Sequence, residues 1–169
     1  MLQTRDLILD KARESDWEDM YRNVWSRPEC AEYMAWRVTE TEEEAKARIR
    51  RTIEFQKTHE TWLVYEATSG TAIGFAGMER LSGKVCMEAG ICLGPEYQKK
   101  GYGRQILSCL IRYCKDRYGA EEFLYSVWEK NLASRRLAES FGFTLRESEE
   151  KTDERNGNRY ILLRYGMRI

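Results

Sequence analysis

The segment from Gln98 to Gly103 has a residue pattern that suits anion binding. Gln98, Gly101 and Gly103 are spaced as Gln-x-x-Gly-x-Gly between a predicted strand and a predicted helix. Glycines let the backbone approach a ligand without interference from Cβ, and a helix start presents unpaired N–H groups and the positive end of the dipole. Three basic side chains add positive charge: Lys99, Lys100 and Arg104. The pattern favours phosphate binding, although two glycines also suit a simple tight turn.

Two familiar nucleotide-binding loops do not fit this segment. A P-loop requires the pattern GxxxxGK[ST], which the chain does not contain. The dinucleotide fingerprint requires a third glycine where this chain has Ile106. Mononucleotide and dinucleotide loops are therefore disfavoured.

The side chains used for nucleophilic and metal chemistry are scarce. His59 is the only histidine, so a Ser-His-Asp or Cys-His arrangement would depend on a residue at a predicted helix end. The cysteines are odd in number and lack CxxC spacing, which favours reduced, packed thiols over disulfides or a metal site. They are Cys30, Cys86, Cys92, Cys109 and Cys114. Reduced thiols and a charged first segment unlike a signal peptide predict a cytoplasmic protein.

The composition of the 169 residues disfavours several classes of protein. A hydrophobic content of 42% supports a buried core, and no run approaches the ~20 apolar residues of a membrane span. The 28 basic and 28 acidic residues give a net charge of zero, which argues against a general nucleic-acid binder. Residues 1–69 hold 11 basic and 15 acidic side chains, whereas residues 80–136 hold 11 and 6. This asymmetry predicts an anion-binding middle and a front that attracts a cation.

Hydrophobic periodicity and turn residues predict one mixed α/β domain over residues 1–169. The spacings Ser15–Glu18 and Thr41–Glu44 read as capping boxes that begin two front helices. From residue 61, short runs joined by glycine turns predict an antiparallel meander, and a later strand, helix and strand predict a right-handed parallel crossover. The remaining predicted elements are a first strand over 7–10, a helical turn opened by Pro28 that carries residues 33–36, a helix over 133–141, and strands over 143–147 and 159–165, with the charged run 147–155 as a solvated loop.

Two motifs together resemble those of the GNAT acetyltransferase superfamily. The first is the Gln-x-x-Gly-x-Gly segment, and the second comprises Asn131–Ser134 followed by Glu139–Phe143. The order of predicted elements is similar to that of the family over nearly the whole chain. The opening Thr4–Leu9 and the patch Tyr33-Met34-x-Trp36 resemble the RimJ/RimL branch. The resemblance implies a mostly antiparallel sheet of about seven strands, flanked by helices, with a splayed parallel pair at its centre.

The resemblance also implies acetyl-CoA as the co-substrate and no metal. Backbone groups of Ile91, Cys92 and Leu93 would pair with the pantetheine arm, and Gln98 would stand at the entrance of the loop. The second motif would contact the pantetheine or pyrophosphate through Asn131 and Ser134, and Arg135 would reach a phosphate. The amides expected to hold the pyrophosphate are those of Lys99, Lys100, Gly101, Tyr102, Gly103 and Arg104.

Acetyl transfer to an amine then requires a group that accepts a proton, because an amine has a pKa near ~10. Glu88, on the strand beside the expected thioester, is the first candidate for this base, and Glu79 is the second. A structural ion pair is an equally acceptable role for Glu88. Many relatives carry a tyrosine seven residues after the motif asparagine to protonate the leaving thiolate, and this chain has Ala138 there.

The amine acceptor is expected at the front helices, where Tyr33, Met34 and Trp36 would line a pocket, unless these side chains only pack the core. A protein N-terminal α-amine and a small-molecule amine both remain open, with the branch resemblance favouring the former. The alternative function is a non-catalytic acyl-CoA-binding module or sensor. No nucleic-acid or membrane partner is expected, and both a monomer and a homodimer remain open.

Overall fold

A computed structural model describes all of residues 1–169 and contains an eight-stranded mixed sheet. The strand order is β1-β2-β3-β4-β5-β6-β8-β7, and β5 and β6 are parallel, with Val85 opposite Glu122. The strands are β1 (Leu2–Gln3), β2 (Leu7–Asp10), β3 (Thr61–Glu66), β4 (Ala72–Arg80), β5 (Val85–Leu93), β6 (Glu122–Trp128), β7 (Thr144–Thr152) and β8 (Arg159–Arg168). The predicted fold class is confirmed, with one strand more than the seven expected.

Five α-helices accompany the sheet. They are α1 (Trp17–Met20), α2 (Pro28–Ala31), α3 (Glu42–Phe55), α4 (Tyr102–Tyr118) and α5 (Leu132–Ser140). A 3₁₀ turn, Glu14–Asp16, precedes α1, and a π-helical turn, Tyr21–Trp25, follows it. None of these helices combines the length and the apolar character that crossing a membrane requires.

The predicted helix starts differ in their outcome. The predicted start of α3 is confirmed, because Thr41 Oγ1 accepts from the Glu44 N–H at 3.2 Å. The reciprocal bond of the predicted box is displaced by one residue, since Glu44 Oε2 accepts from the Glu40 N–H at 2.9 Å. The Ser15–Glu18 box is wrong: Asp16 Oδ2 accepts instead from the Arg13 N–H at 2.7 Å and from the Tyr65 hydroxyl at 2.6 Å. The buried Asp16 carboxylate thus satisfies both a helix-end N–H and a core hydroxyl, which a serine at position 15 does not do.

Two further sequence predictions were wrong. The helical turn opened by Pro28 ends at Ala31, so residues 33–36 lie beyond it in turns. The charged run 147–155 is largely strand, because β7 extends to Thr152 and pairs with β8. Ion pairs between Glu147 and Arg164 and between Glu150 and Arg159, both at 2.7 Å, cross this hairpin. Because β7 is exposed along most of its length, it shows no apolar alternation.

The chain divides into two compact units, and the single domain expected from the sequence stays a prediction. The first unit comprises residues 1–78 and 89–109, and the second comprises residues 79–88 and 110–169. The core of the first unit forms where the front helices pack on β3. Its buried members include Met20, Val24, Trp25, Ala45, Ile49, Leu63, Tyr65 and Cys92.

The second unit is centred on β6 and the β7–β8 hairpin. Phe123 and Tyr125 on β6 are buried and contact the Phe143 ring, with centroid separations of 6.2 and 5.9 Å. Asp153 at the hairpin tip accepts from Arg155 Nη2 at 2.8 Å and is itself buried. This contact and the aromatic cluster fix the two ends of the hairpin.

Candidate active site

The loop that opens α4 in the first unit has an unusual backbone conformation. Lys99 and Gly101 have positive φ angles of 60° and 78°, and the Gln105 N–H donates to the Gly101 carbonyl at 3.2 Å as the helix begins. A Cβ at Gly101 would meet no atom within 4 Å, so the conformation, and not lack of space, favours glycine there. Left-handed residues next to a helix start turn backbone N–H groups toward a common point, which is an arrangement that binds anions.

The side chain of Gln98 fastens this loop to β5. Gln98 Nε2 donates to the Leu93 carbonyl at 3.0 Å, and the Cys30 thiol approaches the same oxygen at 3.6 Å. The structure therefore gives Gln98 a positioning contact within the protein. Its predicted contact with a cofactor stays a prediction.

Gln105, in the first turn of α4, joins the helix to the beginning of the chain. Its Oε1 accepts from Thr4 Oγ1 at 2.8 Å and from the Asp6 N–H at 3.1 Å, and its Nε2 donates to Asp6 Oδ2 at 2.7 Å. Nearby, the Tyr102 hydroxyl donates to Glu66 Oε1 at 2.9 Å, and Lys100 Nζ lies 5.1 Å from the Tyr97 ring centroid. The start of α4 is therefore held by contacts with three separate segments of the chain, at residues 4–6, Glu66 and Tyr97.

The end of β5, residues 91–93, lies closely against β4 within the first unit. A Cβ at Gly74 would overlap the carbonyl oxygen of Cys92 and lie 2.9 Å from Leu93 Cδ2. The Cys92 side chain is buried, and its contact with Cys30 and its burial raise the pKa of the Cys92 thiol well above the usual value. Cys92 is therefore a neutral packing residue, and the predicted contact of its backbone with pantetheine stays a prediction.

In the second unit, Glu88 and the second motif are associated through Tyr125. Glu88 is buried at 9% exposure, and burial together with the Glu88 charge raises the pKa of the Tyr125 hydroxyl. That hydroxyl lies 2.7 Å from Ser134 Oγ, and the Ser134 N–H donates to Asn131 Oδ1 at 3.1 Å. Asn131 thus caps α5, and Ser134 is held between the cap and a buried tyrosine.

The other predicted residues of the second unit have different surroundings. Glu79 is exposed near the end of β4. Arg135 donates through Nη1 to the Glu129 carbonyl at 3.1 Å and through Nε to the Tyr165 hydroxyl at 3.4 Å, and the hydrogen bond to Tyr165 raises the pKa of Arg135. Ala138 is fully buried.

A groove in the first unit lies between residues 36–40 and one side of α3. Its volume is about 890 Å³. Trp36 lines this groove, whereas Met34 packs against the apolar core of the unit and Tyr33 is half-buried. The role of these three residues in acceptor binding stays a prediction. The remaining lining includes three arginines, so this part of the acidic front is locally basic: Arg37, Arg48 and Arg51.

Tyr125 and Arg48 lie at these candidate sites but were not predicted from the sequence. Tyr125 is one of the alternating buried residues of β6, where an aromatic residue usually means packing, so no signal marked it. Arg48 could have been found. It follows Ala45 by three residues and precedes Ile49, so a charged residue borders the apolar stripe of α3.

The structure shows no group of three or more His, Cys, Asp or Glu that could hold a metal ion.

The chain is similar in fold to an acetyltransferase of the GNAT family from Bacillus anthracis, at 17% identity, a TM-score of 0.84 and coverage of 99% of this chain and 97% of that one. A Salmonella typhimurium acetyltransferase that modifies the N-terminal serine of ribosomal protein L7/L12 shares 19% identity, with a TM-score of 0.79 and coverage of 98% and 96%.

The microcin C7 self-immunity acetyltransferase MccE, solved with acetyl-CoA and AMP, shares 19% identity, with a TM-score of 0.82 and coverage of 98% and 94%. The family model described as the acetyltransferase (GNAT) domain matches residues 6–144. The resemblance seen in the two sequence motifs is thereby confirmed, and the chain belongs to the GNAT family of acetyl-CoA-dependent N-acetyltransferases.

Proposed function

We propose that this chain acetylates a primary amine by direct attack of the amine on acetyl-CoA in a ternary complex. The observation that carries the proposal is the loop before α4, where left-handed Lys99 and Gly101 precede a 17-residue helix. Its amides suit the pyrophosphate of the donor, and the backbone of residues 91–93 suits the amide groups of pantetheine. The family assignment supports the same donor.

A protein N-terminal α-amine is the favoured acceptor. One solved structure of similar fold is described as RimL, a ribosomal L7/L12 alpha-N-protein acetyltransferase in complex with coenzyme A, at 21% identity and a TM-score of 0.80. That description supports a protein acceptor for this chain. A small-molecule amine is the second candidate.

The reaction needs one group that accepts a proton and one hydrogen-bond donor that stabilises the oxyanion. The amine nitrogen attacks the thioester carbonyl carbon, the carbon–sulfur bond breaks, and CoA leaves as a thiolate. The amine proton passes to Glu88, directly or through a water molecule. Glu88 lies four residues before Cys92 on β5 and is buried on this strand, which would lie beside the thioester. The Cys92 N–H would donate to the developing oxyanion.

The experiment combines a thiol-release assay on a panel of amines with a separate titration of acetyl-CoA binding. The panel contains peptides with a free N-terminus, the same peptides with a blocked N-terminus, and small primary amines. Release of CoA only with free amines supports the proposal. Acetyl-CoA binding without release for any amine would instead support the non-catalytic binding module.

The role of Glu88 is tested by Glu88→Gln, with Glu79→Gln as the matched control. Glu88→Gln should lower turnover at neutral pH, leave acetyl-CoA affinity nearly unchanged, and make the rate depend on the pKa of the amine itself, near ~10. Glu79→Gln, at an exposed position, should behave like the parent protein. An unchanged pH–rate profile in Glu88→Gln would remove Glu88 from the mechanism.

A further inference from the structure

The arginines of the groove beside α3 make no ion pair. Arg48 and Arg51 come from α3 and Arg37 from the segment that faces it, and none of the three takes part in the ion pairs of this region, which join Lys46 and Lys57 to glutamates. Surface arginines often lack partners, but three around one concave surface concentrate positive potential there.

Arg48 is the most constrained of the three. Its guanidinium lies 4.8 Å from the Trp25 ring centroid and 4.4 Å from that of Trp36, and Nη1 donates to Thr39 Oγ1 at 3.0 Å. A guanidinium has five N–H donors, so most of them remain for another acceptor. The two indoles and the threonine orient the group in advance, which reduces the entropy lost when a planar oxyanion binds.

The electrostatics of the groove also favour an anion. Burial, followed by the charge of Arg51, lowers the pKa of Arg48 to about 10, so the cation is destabilised without a counter-charge. Of the two glutamates in the lining, Glu44 already accepts from the Glu40 N–H at 2.9 Å at the start of α3. An anion placed among the arginines would relieve both the desolvation and the like-charge repulsion of Arg48.

The groove is also coupled to the end of β5 within the first unit. Arg48 lies over the Trp25 and Trp36 rings, and both indoles belong to or pack against the apolar cluster that contains Cys92. Its volume, about 890 Å³, is in the range of sites that hold a ligand of several non-hydrogen groups. Phe55, which is half-exposed, adds an apolar surface to the lining.

We propose that this groove binds a carboxylate of the acceptor through Arg48 and Arg51, so that the preferred acceptor is an acidic peptide with Asp or Glu a few residues after its N-terminal amine. This inference rests on the proposed function, because it assumes that the bound peptide is the acetyl acceptor. The binding of an acidic peptide can nevertheless be measured without catalysis. The Arg48 pair would be charge-assisted and bidentate, and Arg51 would contribute at the mouth of the groove.

The test uses two short peptides that differ only by Asp or Asn near the N-terminus. Binding to the full chain in the presence of CoA is followed by tryptophan fluorescence and calorimetry, and acetylation by thiol release. The parent protein should bind the Asp peptide about tenfold more tightly, equivalent to about 1.4 kcal/mol. Arg48→Gln should abolish this preference, Arg51→Gln should reduce it, and Arg50→Gln, an exposed α3 arginine outside the groove, should preserve it.

The outcomes separate the two proposals. Equal acetylation and binding of both peptides by the parent protein would overturn the groove proposal and leave the proposed function intact. Arg48-dependent binding of the Asp peptide without acetylation of any amine would support the groove and refute the proposed function. A preference for the Asp peptide that survives in both Arg48→Gln and Arg51→Gln would also overturn the groove proposal. The same holds if inorganic phosphate competes with peptide binding but the Asp and Asn peptides bind equally well. Unchanged CoA affinity in each variant establishes that the fold is intact.

Discussion

Gly74 offers the sharpest test of how β4 supports the end of β5. In the substitution Gly74→Ala, the added methyl group would overlap the Cys92 carbonyl oxygen and approach Leu93 Cδ2 to 2.9 Å. The first of these atoms belongs to the backbone and cannot rotate away. Relief therefore requires β4 and the end of β5 to move apart, which separates residues 92 and 93, the residues proposed to pair with pantetheine, from the strand that supports them.

The size of the effect follows from this geometry. Overpacking in a tightly packed region costs about 1–3 kcal/mol, and overlap with a fixed backbone atom places Gly74→Ala near the upper end, at about 3 kcal/mol. For a chain of this length, 1 kcal/mol corresponds to a change of roughly 2–4 °C in Tm, so Tm should fall by about 6–12 °C. Ligand at a hundredfold excess over Kd stabilises a protein by about 2.7 kcal/mol, and the variant should lose much of that gain because its CoA affinity falls.

Thermal unfolding with and without CoA measures both effects, and Gly77→Ala is the matched control on the same strand. A Cβ at Gly77 would meet the Thr61 Cγ2 methyl at 2.7 Å and the Ala89 carbonyl oxygen only at 3.2 Å, so most of the strain falls on a side chain. Gly77→Ala should therefore lower Tm less and retain CoA stabilisation. A Gly74→Ala protein with the parent Tm and the parent response to CoA would refute the reasoning.

Three further predictions concern the loop, the second motif and the hairpin tip. Gly103→Val should abolish CoA binding, measured by calorimetry, while circular dichroism stays unchanged, because a branched side chain crowds the loop amides. Tyr125→Phe should lower stability in denaturant titrations by about 0.5–1.5 kcal/mol, because its hydroxyl lies 2.7 Å from Ser134 Oγ. A hydrogen bond from Arg155 lowers the Asp153 pKa to about 2, below its unfolded value of ~3.9, so its stabilisation is complete above pH ~4 and is lost as pH falls toward 2. Asp153→Asn should therefore show a smaller Tm loss over that range.

The fold was predictable where the residue type reflects the local backbone conformation, as at helix caps and glycine turns. Thr41 marks the start of α3 because its hydroxyl caps the helix, and the glycine turns mark the meander correctly. Strand β7 could not be predicted, because almost all of its residues are exposed and charges on both faces remove the period of two. The helix start was misassigned because the chain turns at Arg13, in a 3₁₀ turn before α1, and the Arg13 N–H donates to the Asp16 carboxylate. The tertiary contact of Asp16 with the Tyr65 hydroxyl, which holds this carboxylate in place, is not visible in the sequence.

The site was predictable to the extent that it depends on backbone and chain order. The glycine loop and the second motif follow from spacing. The contacts of Gln98 with Leu93 and of Tyr125 with Ser134 join different elements, and their pairing appears only when these elements are packed. The basic groove could not be predicted for the same reason. Residues 1–69 carry a net negative charge, but folding brings three of their arginines to one groove.

The contacts of Gln105 have a practical consequence for handling the protein. Thr4 and Asp6 contact Gln105 in the first turn of α4, two residues after Gly103, so residues 4–6 help to hold the loop that we propose binds the pyrophosphate. An affinity tag fused directly before Met1, or the removal of the first six residues, would loosen the helix start and be measured as weak CoA binding. A tag placed after Ile169 avoids this contact. Comparing the CoA affinity of the two tagged forms would show whether weak binding is a property of the protein or a result of the tag.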